Sequence, residues 1–307
     1  MNKRTMKNSL LLFLAAFIWG VAFVSQSKGM EYMGPFTFNG VRSLIGSAVL
    51  VPVILFRRKK APKDSRPLFH KNAWIGGICC GLALMAASMF QQYGILYTTV
   101  GKAGFITALY IVFVPVCGVF LGKKVPGAVW IAVLMAAAGM YLLCIQGSFR
   151  MNPGDALVFV CAILFTVHIL VIDYFSPKAD GVALSCIQFL VCGGICTVCA
   201  LIFEKVSLSA LLSGAVPVLY AGVMSCGVAY TLQIVGQKDM NPTVASLILS
   251  LESVISVLAG WLAYRTGFLK DDQTLTGRQL LGCGIVLAAV VLVQLPTGQI
   301  IKKLKKK

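Results

Sequence analysis

The reactive side chains of this sequence sit where water is scarce. Glu252 interrupts the apolar stretch Val244–Trp261. A charged group at a bilayer centre costs at least ~2.5–3.5 kcal/mol, so it must face protein or water, and ionisable groups there are functional candidates. Glu252 is suited to bind an amine or to carry a coupling proton. The plainer alternative is that neighbouring hydroxyls satisfy it and it only joins helices. Arg42, in the run Pro35–Phe56, offers a fork of donors to an anionic group, with Asn39 one turn earlier. The competing reading has Arg42 pair with a backbone end or snorkel outward. His168 lies two-thirds along Asp155–Phe175. Imidazole is the side chain whose ordinary titration lies nearest neutrality, which makes His168 the second proton-coupling candidate beside Glu252. Trp19 falls at mid-depth in its run, which favours a cavity wall over the interfacial aromatic belt. Gln91, Gln188, Tyr110 and Tyr230 add amides and phenols that can hydrogen-bond a polar substrate, or link helices at ~0.6 kcal/mol each. Asp173 closes the run that carries His168 and is expected to meet Lys178.

The elements that hold these groups follow from composition. Of 307 residues, 58% are hydrophobic and 12% charged, and the mean hydropathy is +0.87. Soluble domains carry about 25% charged residues, so most of this chain cannot meet water. The net charge of +17 would suit nucleic acid only with basic residues gathered on one folded surface. Here they stand in short blocks between apolar runs, the pattern that sets membrane topology, and nucleic acid is excluded as a partner. The 11 cysteines lie in apolar runs, where free Cys packs as a small apolar residue. Cys192, Cys196 and Cys199 share a helix face without neighbouring ligands for a closed metal shell, so neither a metal nor any other cofactor is expected.

Apolar runs of ~17–25 residues read as spanning helices. Ten are found: Leu10–Ser27, Pro35–Phe56, Ala73–Tyr97, Ala103–Leu121, Ala128–Gln146, Asp155–Phe175, Val182–Phe203, Val216–Gly236, Thr243–Tyr264 and Gly277–Gln294. Lys and Arg concentrate in cytoplasmic segments. With the N-terminus inside, those segments hold 19 and the outer ones seven, so both termini are predicted to be cytoplasmic. The basic tail Lys302–Lys307 and the Arg57–Lys60 cluster then act as anchors.

The ten runs divide into two sets of five, predicted as units 1–147 and 148–307. At a shift of 146, Trp19 falls on Phe165 and Arg42 on Gln188. At a shift of 142, Gln91 falls on Gln233, Gly94 on Gly236 and Tyr110 on Glu252. A rival shift of 138 sets Pro115 on Ser253 and yields fewer identities. Because five is odd, the second set enters from the opposite side. Such inverted repeats are recurrent in secondary transporters, with the binding site near the midplane between them. At about 1.5 Å per residue, Glu252 lies ~14 Å into its span, and Tyr110 and Glu252 are expected to flank a cavity, one from each half. Glycines at Gly76, Gly77 and Gly81, and at Gly118 and Gly122, are spaced for close helix contact.

Ala16-Phe-Ile-Trp-Gly20, Pro35 with Arg42, the run Phe105–Pro115, Leu251-Glu252-Ser-Val254 and Gly277 with Gly282 resemble the EamA-type branch of the drug/metabolite transporter superfamily. The resemblance spans nearly the whole chain. It implies ten helices, a central cavity and movement of small metabolites, often outward. Ser253 stands where that family usually has proline, so the ninth span should be less kinked. The expected protein is therefore an all-α integral membrane protein, with ten transmembrane helices as two inverted five-helix repeats. It would be a monomer or homodimer in the inner or plasma membrane, moving a small polar metabolite such as an amino acid or amine, with proton coupling as an option. A membrane sensor or scaffold, or an integral-membrane enzyme, are the rivals. No Gly-x-x-x-x-Gly-Lys loop exists to drive an ATP pump.

Overall fold

Long apolar segments can satisfy their backbone groups inside a bilayer only as helices or closed barrels, and this chain is helical throughout its described part. The computed structural model describes residues 3–60, 67–123, 125–144, 152–238, 240–270 and 274–294; the basic tail predicted to anchor the C-terminus lies outside them.

In the first half the helices are α1 (Lys3–Gly29), α2 (Pro35–Lys60), α3 (Lys71–Ile95), α4 (Val100–Ala108), α5 (Tyr110–Phe120) and α6 (Gly127–Cys144). In the second they are α7 (Pro153–Phe175), α8 (Gly181–Phe203), the short α9 (Leu208–Ser213) and α10 (Ala215–Leu219). A π-helical segment (Tyr220–Ala229) follows, then α11 (Tyr230–Gln237), α12 (Pro242–Leu249), α13 (Leu251–Arg265) and α14 (Gly277–Gln294). Counting Val100–Phe120, Ala215–Gln237 and Pro242–Arg265 each as one unit, eight helices among the described residues are long and apolar enough to cross a membrane. The remaining two predicted spans correspond to shorter apolar segments, Val129–Leu142 and Gly277–Leu292. Large apolar side chains such as Phe120, Leu201 and Leu134 are exposed on the outside, as lipid-facing residues must be.

The packing repeats when the halves are exchanged. α1 packs on α13, α11 and the π segment, and its counterpart α7 packs on α5 and α3. α2 lies along the π segment as α8 lies along α3. Three pairs join equivalent spans, α2 with α8, α6 with α14, and α4–α5 with α12–α13. In the first, Gly40 faces Thr197, Ser43 bonds Cys192, and Ser47 donates to the Cys186 carbonyl at 3.1 Å. Numbers rise in one helix as they fall in the other, so the pair is antiparallel. In the second, Gly139 faces Gly282 and Arg278 stacks over Tyr141, again antiparallel. Equivalent helices that pack antiparallel are related by a two-fold axis across their length.

Carboxylates fasten the ends. Glu204, just past α8, accepts from the backbone N–H groups of Phe36 and Thr37 at 2.9 and 2.8 Å and from the Thr37 hydroxyl at 2.7 Å. It thus supplies an acceptor to the open N-terminus of α2. Asp180 caps α8 and pairs with Arg57 at the other end of the same helix pair. Asn152 and Asp155 form a capping box on α7, and Asp155 also accepts from Thr98 and Lys102 at 2.7 and 2.6 Å. Asp173 pairs with Lys123 rather than with Lys178. Lys178 instead lies over the Tyr174 ring, 3.1 Å from its centre.

Candidate functional site

Two spans are interrupted at equivalent places. α4 ends at Ala108 and α5 begins at Tyr110; α12 ends at Leu249 and α13 begins at Leu251. At the shift of 142 the two breaks agree to one residue, which favours that register over 138. The ninth span breaks although it has no proline, against the expectation from Ser253. A ladder of hydroxyls accompanies this break. Ser246, Ser250, Ser253 and Ser256 each donate to the carbonyl three residues earlier, at 2.7–2.9 Å, and such back-bonding bends helices. The break leaves Glu252 in the first turn of α13, where the positive end of the half-helix dipole favours a negative charge.

Tyr110 and Glu252, equivalent by sequence shift, meet directly. The Tyr110 hydroxyl donates to Glu252 Oε1 at 2.8 Å, with Tyr110 3% and Glu252 4% exposed. Two equivalent residues can touch only on the two-fold axis. Both line one narrow cavity of about 30 Å³. Its wall is built largely in equivalent pairs: Trp19 with Phe165, Phe23 with Ile169, Gln91 with Gln233, Thr107 with Leu249, and Tyr110 with Glu252. Gln26, Arg42, Ser225 and Tyr230 also line it, while their counterparts Ile172, Gln188, Ala83 and Ser88 do not.

The wall carries unmet hydrogen-bonding groups. Trp19 Nε1, Arg42 Nε, Gln26 Oε1 and Gln233 Oε1 are buried without a partner among the described residues. Arg42 has no carboxylate partner there either; its guanidinium lies over the Phe38 ring, 5.4 Å from the centre. The pairing or outward snorkelling weighed for it from sequence is therefore not what is seen. Gln91 donates to Thr107 at 3.0 Å. A guanidinium and a carboxyl group thus share one pocket with five aromatic rings in its wall, a combination suited to a small ligand bearing both an anionic and a cationic group.

Of the residues predicted to contact substrate, Trp19, Arg42, Gln91, Tyr110, Tyr230 and Glu252 line the cavity. Asn39 and Gln188 do not. Asn39 is turned toward α3, where it donates to the Ser88 carbonyl at 3.2 Å, since its position on α2 is one turn from the wall. Gln188 is held by His168, whose Nε2 lies 3.0 Å from Gln188 Oε1. His168 is fully buried behind the wall, its ring against Phe165 and Tyr230. Phe23, Gln26, Thr107, Phe165, Ile169, Ser225 and Leu249 were not singled out as wall residues. For Phe23, Phe165 and Ile169 the signal existed, because each is the repeat partner, or one turn from the partner, of a residue that was.

Comparison with known proteins gives the same picture. The EamA-like transporter family matches residues 6–145 and again 152–295. An "uncharacterized transporter" of Archaeoglobus fulgidus is 30% identical over 294 residues, covering 92% of this chain and 84% of the relative. The inner membrane transporter YedA of Escherichia coli is 25% identical over 285 residues, covering 92% and 89%. YoaV of Bacillus subtilis, also described as a transporter, is 24% identical over 292 residues, covering 92% and 96%. A crystal structure sharing 20% identity superposes with a TM-score of 0.72 over 93% of this chain and 96% of the other, which establishes the fold alone.

Proposed function

Because this chain belongs to the EamA-like transporter family, and is thus a multi-pass membrane transporter, we propose that it works as a secondary transporter by alternating access. The cargo is a small polar organic metabolite such as an amino acid or amine, crossing the inner or plasma membrane, with export the favoured direction. In this reading α6 and α14 complete ten spans, the repeats divide at 147/148, and both termini are cytoplasmic. The observation that carries it is the cavity on the two-fold axis, with Tyr110 and Glu252 bonded across it. Two equivalent halves can exchange conformations, and a site on their axis is then presented to each side in turn.

Glu252 receives the cationic group or the coupling proton, and Arg42 the anionic group. Trp19, Tyr230 and Gln91 enclose the remainder, while Asn39 and Gln188 act from behind the wall. His168 is bonded to Gln188 and buried behind Phe165 and Tyr230, whereas Glu252 lines the cavity, so Glu252 is the better proton carrier.

The test is transport in proteoliposomes of labelled amino acids, amines, nucleosides and sugars, with and without a pH gradient. Saturable movement of amino acids or amines, lost in Glu252→Gln, is expected. Failure of the wild-type protein to move any of them would overturn the substrate class. A Glu252→Gln variant with normal rate and normal pH dependence would remove Glu252 from the mechanism.

A further inference from the structure

The cavity wall departs from its two-fold symmetry at four residues, and two of them come from one local irregularity. Ser225 and Tyr230 both line the cavity. In an α-helix, residues five apart are turned about 140° from one another and cannot share a face. Here the Tyr230 backbone N–H bonds to the Ser225 carbonyl, an i→i−5 bond of the π type. That winding stacks the two side chains one above the other. The equivalent stretch of α3, residues 78–87, is α-helical throughout, and neither Ala83 nor Ser88 reaches the cavity. The wide turns are seated on α2, where Gly222 lies against Ile45 and Gly227 against Val49.

Tyr230 occupies a decisive place. Its ring packs against Trp19 at 4.5 Å, Phe189 at 5.3 Å and His168 at 5.9 Å between centres, so it is fixed from three helices. It lines the same cavity as Arg42 and Glu252. The bonded pair Tyr110 and Glu252 serves both halves alike. A group that distinguishes one ligand from another is free of that constraint only where symmetry is broken.

We propose that the π-helical segment Tyr220–Ala229 is a selectivity device, which turns Tyr230 into the cavity so that its hydroxyl joins Arg42 in holding the anionic end of the ligand. The assignment deepens the transporter reading above and rests on it. An α-wound segment, as in α3, would turn position 230 off the wall as its counterpart Ser88 is, and would leave Arg42 to hold an anion alone.

The experiment compares a panel of L-amino acids, each with its decarboxylated amine and its deaminated carboxylic acid, by competition and transport in proteoliposomes. Tyr230→Phe keeps the ring packing and removes the hydroxyl. Its preference for amino acid over the matching amine should narrow about ten-fold, the loss expected for one hydrogen bond to a charged group. Deleting Val223 restores α winding, and this variant should narrow the same preference while Tyr230→Phe narrows it no further in that background. If the wild type discriminates within the panel and Tyr230→Phe keeps the wild-type ratio of amino acid to amine, the proposal is wrong. A wild type that moves no member of the panel overturns the substrate class itself, which is a different result.

Discussion

Removing the Tyr110 hydroxyl tests whether the two halves are coupled on their axis. Tyr110→Phe leaves the ring in place and takes away the one hydrogen-bond partner that Glu252 has among the described residues. A buried acceptor left unmet costs about 1–3 kcal/mol in a water-soluble protein. Inter-helix hydrogen bonds in membrane bundles average only ~0.6 and reach ~1.7 kcal/mol, because the reference state also finds partners. Glu252 faces the cavity, so water can replace part of the lost bond and the lower range applies. The expected coupling is about 1 kcal/mol, roughly a five-fold change in an equilibrium constant. The assay is a double-mutant cycle of Tyr110→Phe and Glu252→Ala, read as unfolding free energy in mixed micelles. In the Glu252→Ala background, Tyr110→Phe should be near neutral. If the two substitutions add to within about 0.3 kcal/mol, the bond contributes nothing and the axis argument loses its energetic basis.

Three further perturbations follow from named contacts. A Cβ on Gly77 would lie 2.5 Å from Ile187 Cβ, whereas one on Gly118 would find its nearest neighbour 3.9 Å away. Gly77→Ala should therefore lower stability by about 1–3 kcal/mol and Gly118→Ala raise it by about 0.5–1 kcal/mol, both read as thermal midpoints in detergent. Asp155→Asn should destabilise the joint between α3 and α4. Losing one partner of a buried pair costs about 3–5 kcal/mol, and about half of that is expected because the Lys102 side chain is 29% exposed; hydrogen exchange at residues 97–102 should rise accordingly. Glu204→Ala should cost about 1–2 kcal/mol, as for loss of a helix cap, with faster exchange at Phe36 and Thr37 and little change at α13.

The repeat register was the most legible feature, and it led to the site. Gln91 with Gln233 and Gly94 with Gly236 kept their identities because each serves the same purpose in both halves. Gly94 lets α3 approach Val158 on α7 as Gly236 lets α11 approach Leu11 on α1. The register fixed by these pairs places Tyr110 opposite Glu252 without any knowledge of the fold. What escaped sequence reading was side-chain direction. Asn39 and Arg42 stand one turn apart on α2, yet only Arg42 faces the cavity. In a helix buried on several sides, apolar periodicity gives no preferred face to decide between them. The π segment was hidden for a related reason. Tyr220–Ala229 holds mostly small residues, and no residue type in it demands an i→i−5 winding. The glycine spacing at Gly118 and Gly122 misled because Gly122 is needed for its backbone, at φ +75°, and not for helix contact.

The pairs that diverged are more informative than those that held. At the helix contacts made by Gly94 and Gly236, both halves kept the same residue. At the cavity wall Trp19 faces Phe165, Thr107 faces Leu249, and Tyr110 faces Glu252, so duplication has been followed by specialisation at the site itself. Glu252 has no acidic counterpart, and on an axis it needs none. A carboxylate on the axis stands in the same relation to both halves, so one charge can serve a site presented to either side. A second carboxylate at Tyr110 would put two like charges within hydrogen-bonding distance at 4% exposure or less, an arrangement that disfavours ionisation of both. The phenol is the residue that can both fill that place and donate to its partner. Divergence of this pair is thus what the geometry of the axis requires.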